Sequence, residues 1–151
     1  MAFGEIPGFP AGSMFLSRKA LADSGVHRAL QAGIVGGRAT GAESIVISGG
    51  YADDEDFGSS VLYTGQGGQG NGGQVADQEL VRGNAGLARS KDEGLPVRVI
   101  RGAGGDPVWS PASGFRYDGL YRVESYSHET GQHGFLVYRF VLTQLDTDST
   151  P

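Results

Sequence analysis

Two tyrosines and a carboxylate stand close together in the sequence, each beside glycine, and together they can bind a flat ring. Tyr51 and Asp54 lie in the segment 49–54, and Tyr63 follows a dozen residues after Tyr51. Two aromatic rings can stack on a base, a carboxylate can accept from an amino group, and backbone N–H groups can donate to a carbonyl. Cytosine presents these groups on its Watson–Crick edge, which a protein reaches only after the base has left the duplex. The alternative is a pair of core tyrosines beside a solvated acid.

Other motifs that carry chemistry elsewhere are incomplete in this chain. The segment 65–70 matches G-x-G-x-x-G, but no helix is predicted directly after it to bind a pyrophosphate. His128 and His133 are five residues apart around a Thr-Gly turn, which excludes the helical spacing of a zinc protease and favours two surface histidines in a turn. The acidic segment 54–58 lacks the later glutamate of a calcium loop, which favours a solvated acidic turn, and His27 has no triad partners. We therefore predict no cofactor, no metal and no catalytic constellation.

Short strands must position the candidate ring-binding residues. The β-branched segment 44–48 ends in two glycines and predicts a buried strand with a sharp exit. Alternating apolar positions predict further strands around 97–99 and 121–123, and an apolar run predicts a strand at 135–142. A turn around Thr130-Gly131 joins the last two strands. The pattern predicts a sheet or barrel that carries two short helices.

Capping residues predict the two helices. Ser17 is the expected N-cap of the first helix, and Gly25 supplies the left-handed residue at its end. Asp77 is the expected N-cap of the second helix. The apolar residues of that helix expected to share one face are Leu80, Leu87 and Ala88. The segment 65–73, with six glycines, is predicted to be a mobile loop.

The composition fits one globular domain rich in turns. Glycine accounts for 27 of the 151 residues, while 38% of the residues are hydrophobic and 19% are charged. No apolar run approaches the roughly 18 residues of a membrane span, and the lack of cysteine excludes disulfides and favours an intracellular setting. A net charge of −5 counts mildly against binding nucleic acid through charge alone.

Ordered sequence blocks run along nearly the whole chain. They are Ile6-Pro7-Gly8, Gly25-Val26-His27-Arg28, Gly49-Gly50-Tyr51-Ala52-Asp53-Asp54, Tyr63-Thr64-Gly65, Pro96-Val97-Arg98-Val99-Ile100-Arg101 and Arg116-Tyr117-Asp118-Gly119-Leu120-Tyr121. With these blocks the chain resembles the SRA domain (SET- and RING-associated, also called YDG after the triplet in the last block). The resemblance implies an α+β fold, a PUA-like crescent-shaped β-barrel flanked by short helices. The domain would span residues 3–145, followed by a polar tail or linker at 146–151.

The resemblance also implies a function, the flipping of 5-methylcytosine out of double-stranded DNA, with 5-hydroxymethylcytosine as a second candidate. Tyr51 and Tyr63 would sandwich the base, and Asp54 would bind its amino edge. Asp53 and Asp56 would be structural. The other pocket residues that the resemblance implies are Ser48, Gly49, Gly50 and Thr64.

Further DNA contacts follow from the same resemblance. Gln31 falls where the family inserts a thumb side chain into the space that the flipped base leaves, and glutamine can hydrogen-bond the orphaned guanine. Arg28 and Arg38 are candidate contacts to the DNA backbone. Animal members that prefer hemimethylated CpG carry a longer finger with an Asn-Lys-Arg element, whereas the segment 69–76 here is short and has no basic residue. We therefore expect a reader that tolerates either methylation state of the opposite strand.

The residue usage also suggests a setting. Only Lys19 and Lys91 are lysines, and arginine, alanine and glycine are abundant, which indicates a GC-rich bacterial genome. Bacterial SRA domains often precede an HNH nuclease in modification-dependent restriction enzymes, but this chain has no HNH ligand set. We expect it to bind DNA without cutting it, in the bacterial cytoplasm at the nucleoid, or in the nucleus if the source is eukaryotic. Two alternatives remain, a glycosylase-like enzyme that uses Asp54 for acid–base chemistry and a protein-interaction domain of the same fold.

Overall fold

The computed structural model describes residues 2–49, 53–70, 73–74 and 76–145. The secondary structure in these residues is listed in chain order: β1 (Met14–Phe15), α1 (Arg18–Ser24), β2 (Ile34–Gly37), β3 (Gly41–Ile47), β4 (Glu55–Asp56), β5 (Ser60–Thr64), β6 (Gln69–Gly70), β7 (Gly73–Gln74), α2 (Arg82–Glu93), β8 (Val97–Gly102), β9 (Phe115–Thr130) and β10 (Leu136–Gln144). None of the helices in this part of the chain has the length and apolar character to cross a membrane.

The strands form an eight-stranded mixed sheet with the order β2-β3-β8-β9-β10-β5-β4, and β1 pairs with β9 beside this path. The pair β3–β8 is parallel, and the other pairs are antiparallel. The expected barrel is not formed, because the end strands β2 and β4 do not pair with each other in the described residues. β4 has only two residues, both of which pair with β5. The α+β class is confirmed, with an open sheet.

The two helices cover opposite faces of the sheet. Side chains alternate between the faces of a strand, so Ile45 and Ile47 of β3 pack with Leu87 of α2, whereas Val46 packs with Leu21 of α1. Every residue of β3 is consequently buried. This two-sided burial explains why residues 45–47 at the end of the strand are continuously apolar in the sequence.

The first helix has the predicted caps. The Ser17 hydroxyl accepts from the Ala20 amide at 3.1 Å, and Gly25 ends the helix with φ of 86°. The Gly25 amide donates to the Ala22 carbonyl, which satisfies one of the free carbonyls at the helix end.

The predicted start of the second helix is wrong. The helix begins at Arg82, after an N-cap residue, Val81, that makes no side-chain capping hydrogen bond. Asp77 instead accepts a hydrogen bond from the Leu136 amide at the start of β10, at 2.8 Å. Leu80 therefore lies outside the helix, although Leu87 and Ala88 are buried on it as expected.

The glycine-rich segment is anchored at its base by two buried amide side chains. Gln78 donates to the Gly65 carbonyl at 2.6 Å and accepts from the Tyr138 amide at 2.9 Å. Asn84 accepts from the Gln66 amide at 2.8 Å and donates back to the Gln66 carbonyl at 2.9 Å. The prediction of a plain loop is also incomplete, because β6 and β7 pair as a short antiparallel ladder.

Candidate functional site

A pocket with a volume of about 330 Å³ opens beside the end of β3. It is lined by Ile47 and Gly49, by the segment 54–57 that contains β4, and by residues 105–106 of the loop after β8. The predicted pocket residues Gly50 and Tyr51 lie outside the described residues. The volume is in the range of small-molecule sites.

Asp54 is the central polar side chain of this pocket. It is partly buried, and its Oδ1 accepts from the Thr64 backbone amide at 2.6 Å. Burial raises the pKa of Asp54 to about 6, and the Asp53 charge adds to this effect, while the amide and the hydroxyl of Thr64 and the Arg139 charge oppose it. The carboxylate is therefore ionised at neutral pH, at a cost to the folded state.

The Thr64 hydroxyl is buried beside the Asp54 carboxylate and helps to lower the pKa of Asp54, although it makes no hydrogen bond of full geometry in the described part of the chain. It belongs to the residue whose amide holds Asp54. The site therefore combines a poorly solvated carboxylate with the amide and the hydroxyl of one neighbouring residue.

Tyr63 precedes Thr64 on β5 and is fixed by its environment. Its side chain is 4% exposed and belongs to the core cluster beneath α2. Its hydroxyl donates to the Gly33 and Val46 carbonyls, at 3.2 and 3.3 Å. Tyr63 therefore packs in the core, as in the alternative of two core tyrosines, whereas Asp54 is partly buried and Tyr51 lies outside the described residues.

The end of β3 forms one wall of the pocket through close backbone packing. Gly49 has φ of 78°, and a Cβ atom at this position would lie 2.4 Å from the Gly104 carbonyl oxygen. Only glycine tolerates both conditions. Ser48, the preceding predicted pocket residue, is exposed.

Two neighbouring acids have structural contacts, as expected. Asp56 binds Arg101 through both carboxylate oxygens, at 2.7 and 2.9 Å, and Arg101 also pairs with Asp118. Asp53 accepts from the Gln132 amide in the turn before β10, at 3.0 Å. These contacts fix both ends of the segment that carries Asp54.

The predicted DNA-contacting residues lie on the surface around the loop between α1 and β2. Gln31 is exposed on this loop. Arg28 is also exposed but pairs with Glu43, whose other carboxylate oxygen binds the fully buried Arg98. Arg38 is exposed after β2 and donates to the Leu80 carbonyl at 3.1 Å. The structure thus ties Arg28 into a buried ion-pair network that the sequence did not indicate.

The histidine and acidic motifs do not form a metal site within the described residues. His128 lies in β9 rather than in a turn, and its ring stacks on Tyr138 with centroids 4.1 Å apart. His27, considered only for a hydrolase triad, is buried and bonds Ser44 and the Ala32 carbonyl, at 2.8 Å each. No periodicity in the sequence signals this role of His27.

The open sheet and the poorly solvated carboxylate beside Thr64 define a small α+β domain with a polar pocket. Comparison with known families identifies this domain. Residues 2–148 match the SAD/SRA domain, and the chain therefore belongs to the SAD/SRA family.

Three similar proteins illustrate the range of the family. The rat (Rattus norvegicus) E3 ubiquitin-protein ligase UHRF1 is 42% identical over an alignment of 171 residues. The alignment covers 99% of this chain and 22% of that protein. The modification-dependent TagI restriction endonuclease is 49% identical with a TM-score of 0.92, covering 95% of this chain and 52% of that chain. The SRA domain of SUVH5, solved with fully hydroxymethylated CG DNA, is 41% identical with a TM-score of 0.83, covering 96% and 95% of the two chains. The chain thus spans about a fifth of UHRF1 and about half of TagI.

Proposed function

We propose that this chain is a DNA-binding domain that recognises modified cytosine by flipping the base into the Asp54 pocket. The observation that carries the proposal is the ionised, poorly solvated carboxylate of Asp54, which lines a pocket of about 330 Å³ and is held by the Thr64 amide. Membership of the SAD/SRA family supports it, because the related SUVH5 domain was solved with methylated and hydroxymethylated DNA.

The pocket chemistry favours cytosine over thymine. Asp54 Oδ1 is held by the Thr64 amide, which leaves Oδ2 to accept from the exocyclic amino group of cytosine. Thymine presents a carbonyl oxygen at that position, which the carboxylate would repel. Tyr51 and Tyr63 would stack on the base, while the Thr64 hydroxyl and the backbone at Ser48, Gly49 and Gly50 would complete its hydrogen bonds.

The surrounding surface would hold the distorted duplex. Gln31 would occupy the space that the base leaves, and Arg28 and Arg38 would contact the backbone. Tolerance of the opposite strand is supported by the SUVH5 domain, which was solved with both hemimethylated and fully methylated CG DNA. In the present chain the segment 69–76 has no basic residue that could contribute to strand discrimination.

We further infer that the domain spans residues 3–145, that 146–151 form a tail or linker, and that the full arrangement is the PUA-like crescent. The 49% identity to the TagI endonuclease supports a role as the recognition module of a modification-dependent restriction system. A C-terminal nuclease domain in the full-length protein would then supply cleavage. The chain itself would bind DNA without cutting it, in the bacterial cytoplasm or, in a eukaryote, in the nucleus.

Fluorescence anisotropy with matched duplexes tests the proposed function. The parent should bind a duplex with 5-methylcytosine more tightly than the unmodified duplex, and Asp54→Ala should remove this preference, which corresponds to about 1–3 kcal/mol. Asp92→Ala, which removes an exposed carboxylate of α2, is the control and should keep the preference. A parent without preference, or an unchanged Asp54→Ala variant, would overturn the proposal. Release of free base during the incubation would favour the glycosylase alternative instead.

A further inference from the structure

The loop that carries Gln31 is braced by a single arginine from α1. Arg18 Nη2 donates to the Ala29 and Ala32 carbonyls, both at 2.8 Å, and Nη1 donates to the Gln31 carbonyl at 3.4 Å. One guanidinium therefore binds three of the four carbonyl groups in the segment 29–32. A planar fork with several fixed donors is suited to such a contact, whereas a single ammonium is not.

Arg18 is itself held in place and is not a freely moving surface cation. Its guanidinium lies over the Phe115 ring, 5.9 Å from the ring centroid. Burial lowers the pKa of Arg18, and no carboxylate in the described residues forms an ion pair with it. The charge is therefore partly desolvated, and its hydrogen bonds go to backbone carbonyls of the loop.

His27 fixes the other side of the same loop. Its Nε2 bonds the Ala32 carbonyl and its Nδ1 bonds the Ser44 hydroxyl, each at 2.8 Å. Burial lowers the pKa of His27 to about 4, so the ring is neutral at pH 7. Because a carbonyl only accepts, Nε2 carries the proton and Nδ1 accepts from Ser44.

The braced loop presents an apolar side chain beside the glutamine. Leu30 is 60% exposed, and Gln31 is exposed next to it. Exposing a leucine on a rigid loop gives the isolated domain no stability. Apolar side chains that enter a base step are a common means of unstacking DNA, and the exposed Leu30 is in position to gain burial there.

We propose that Arg18 is a positioning residue that preorganises the segment 29–32 for insertion into DNA. It acts through the loop backbone without touching DNA itself, and this inference rests on the proposed function. Ordering a flexible loop costs conformational entropy at the moment of binding. A loop that is already ordered does not have this cost when it inserts into DNA. Non-specific binding to phosphates does not require the inserted loop, so preorganisation strengthens specific binding and leaves non-specific binding unchanged.

The test compares the Arg18→Ala variant with a control variant that loses a neighbouring cation. Lys19 is the next residue of the same helix, 79% exposed and paired with Asp23, so Lys19→Ala removes the same charge without touching the loop. Arg18→Ala should weaken binding to the 5-methylcytosine duplex by about tenfold or more, with little change on the unmodified duplex. Lys19→Ala should change both affinities equally or not at all. A 2-aminopurine beside the modified cytosine should lose its fluorescence increase in Arg18→Ala but keep it in Lys19→Ala.

A second substitution separates positioning from general stability. Arg18→Lys keeps the charge and the aliphatic stem but cannot bind the three carbonyls together, so it should show the same loss while its melting temperature stays near that of the parent. Gln31→Ala should weaken specific binding in the parent but have little further effect in the Arg18→Lys background.

The outcomes distinguish this inference from the proposed function. If the parent does not prefer modified DNA and gives no 2-aminopurine signal, the proposed function itself fails. If the parent shows both and the two Arg18 variants retain them, or if Gln31→Ala has its full effect in the Arg18→Lys background, the positioning role of Arg18 is overturned.

Discussion

Replacing Asp54 with asparagine separates the binding role of this side chain from its effect on stability. Burial raises the pKa of Asp54 from 3.8 to about 6, and each pH unit of such a difference corresponds to about 1.4 kcal/mol. The ionised carboxylate therefore costs the folded protein about 3 kcal/mol at neutral pH. A neutral amide of the same shape can still accept from the Thr64 amide. Asp54→Asn should therefore raise the free energy of unfolding by up to this amount.

The size of the stabilisation by Asp54→Asn depends on pH. Because the folded pKa of Asp54 lies above its ordinary value, the protonated side chain contributes stability that is fully present below about pH 4. This contribution is lost as the pH rises through about 6. Urea unfolding should show the gain from Asp54→Asn at about pH 7 and almost none at about pH 4. For a domain of this size, the gain at neutral pH corresponds to at most about 6–12 °C in the melting temperature.

The same substitution two residues away is the control. Asp56 is buried and binds Arg101 through both oxygens, so Asp56→Asn should destabilise the fold by about 3 kcal/mol. If Asp54→Asn destabilises the protein as Asp56→Asn does, the argument from charge burial is refuted. Anisotropy should show that the stabilised Asp54→Asn variant has lost its preference for modified cytosine, because its amide nitrogen would face the cytosine amino group.

Three further outcomes follow from the same contacts. Binding to the 5-methylcytosine duplex should weaken as the pH falls below about 6, because protonated Asp54 no longer accepts from the amino group; a pH-independent preference in anisotropy would contradict this. In Asp54→Asn, the free energy of unfolding from urea titrations should fall by about 3 kcal/mol between pH 6.5 and 4. The reason is that His27 stays neutral in the folded protein over this range, whereas the unfolded chain takes up the proton. In the parent, the titration of Asp54 opposes this loss. Gly49→Ala should lower the free energy of unfolding by more than about 1 kcal/mol, because its positive φ and the Gly104 carbonyl leave no room for Cβ. Gly37→Ala, with 3.8 Å to the nearest atom, should be nearly neutral, and equal effects of the two substitutions would exclude this explanation.

Elements fixed by local contacts could be predicted from the sequence. The first helix followed from Ser17 and Gly25, because both caps bond atoms within three residues along the chain. The buried strand β3 followed from the β-branched segment 44–48, which overlaps its last four residues. The start of the second helix could not be predicted, because the Asp77 carboxylate bonds an amide 59 residues away. Strand order and the open sheet depend on similar long-range pairing, which local patterns do not encode.

The residues of the candidate site could be named from the sequence, but their burial and energetics could not. Residue type and spacing indicated Asp54 and Tyr63, but the burial of Asp54 beside Thr64 depends on how β4 and β5 pair. Arg98 alternates with valines as an outward-facing residue would, yet it is fully buried against Glu43. The brace formed by Arg18 on the Gln31 loop joins two elements with no local sequence signal.

Direct binding to four otherwise identical duplexes tests the central claim. One duplex carries 5-methylcytosine at its centre, one 5-hydroxymethylcytosine, one N6-methyladenine and one no modification, and all are measured by anisotropy at the same moderate salt concentration. We predict tighter binding to at least one of the two modified cytosines than to the other two duplexes, because the Asp54 pocket accepts a flipped cytosine. Equal binding to all four duplexes, or binding to none, would contradict the assignment of this pocket to a modified base.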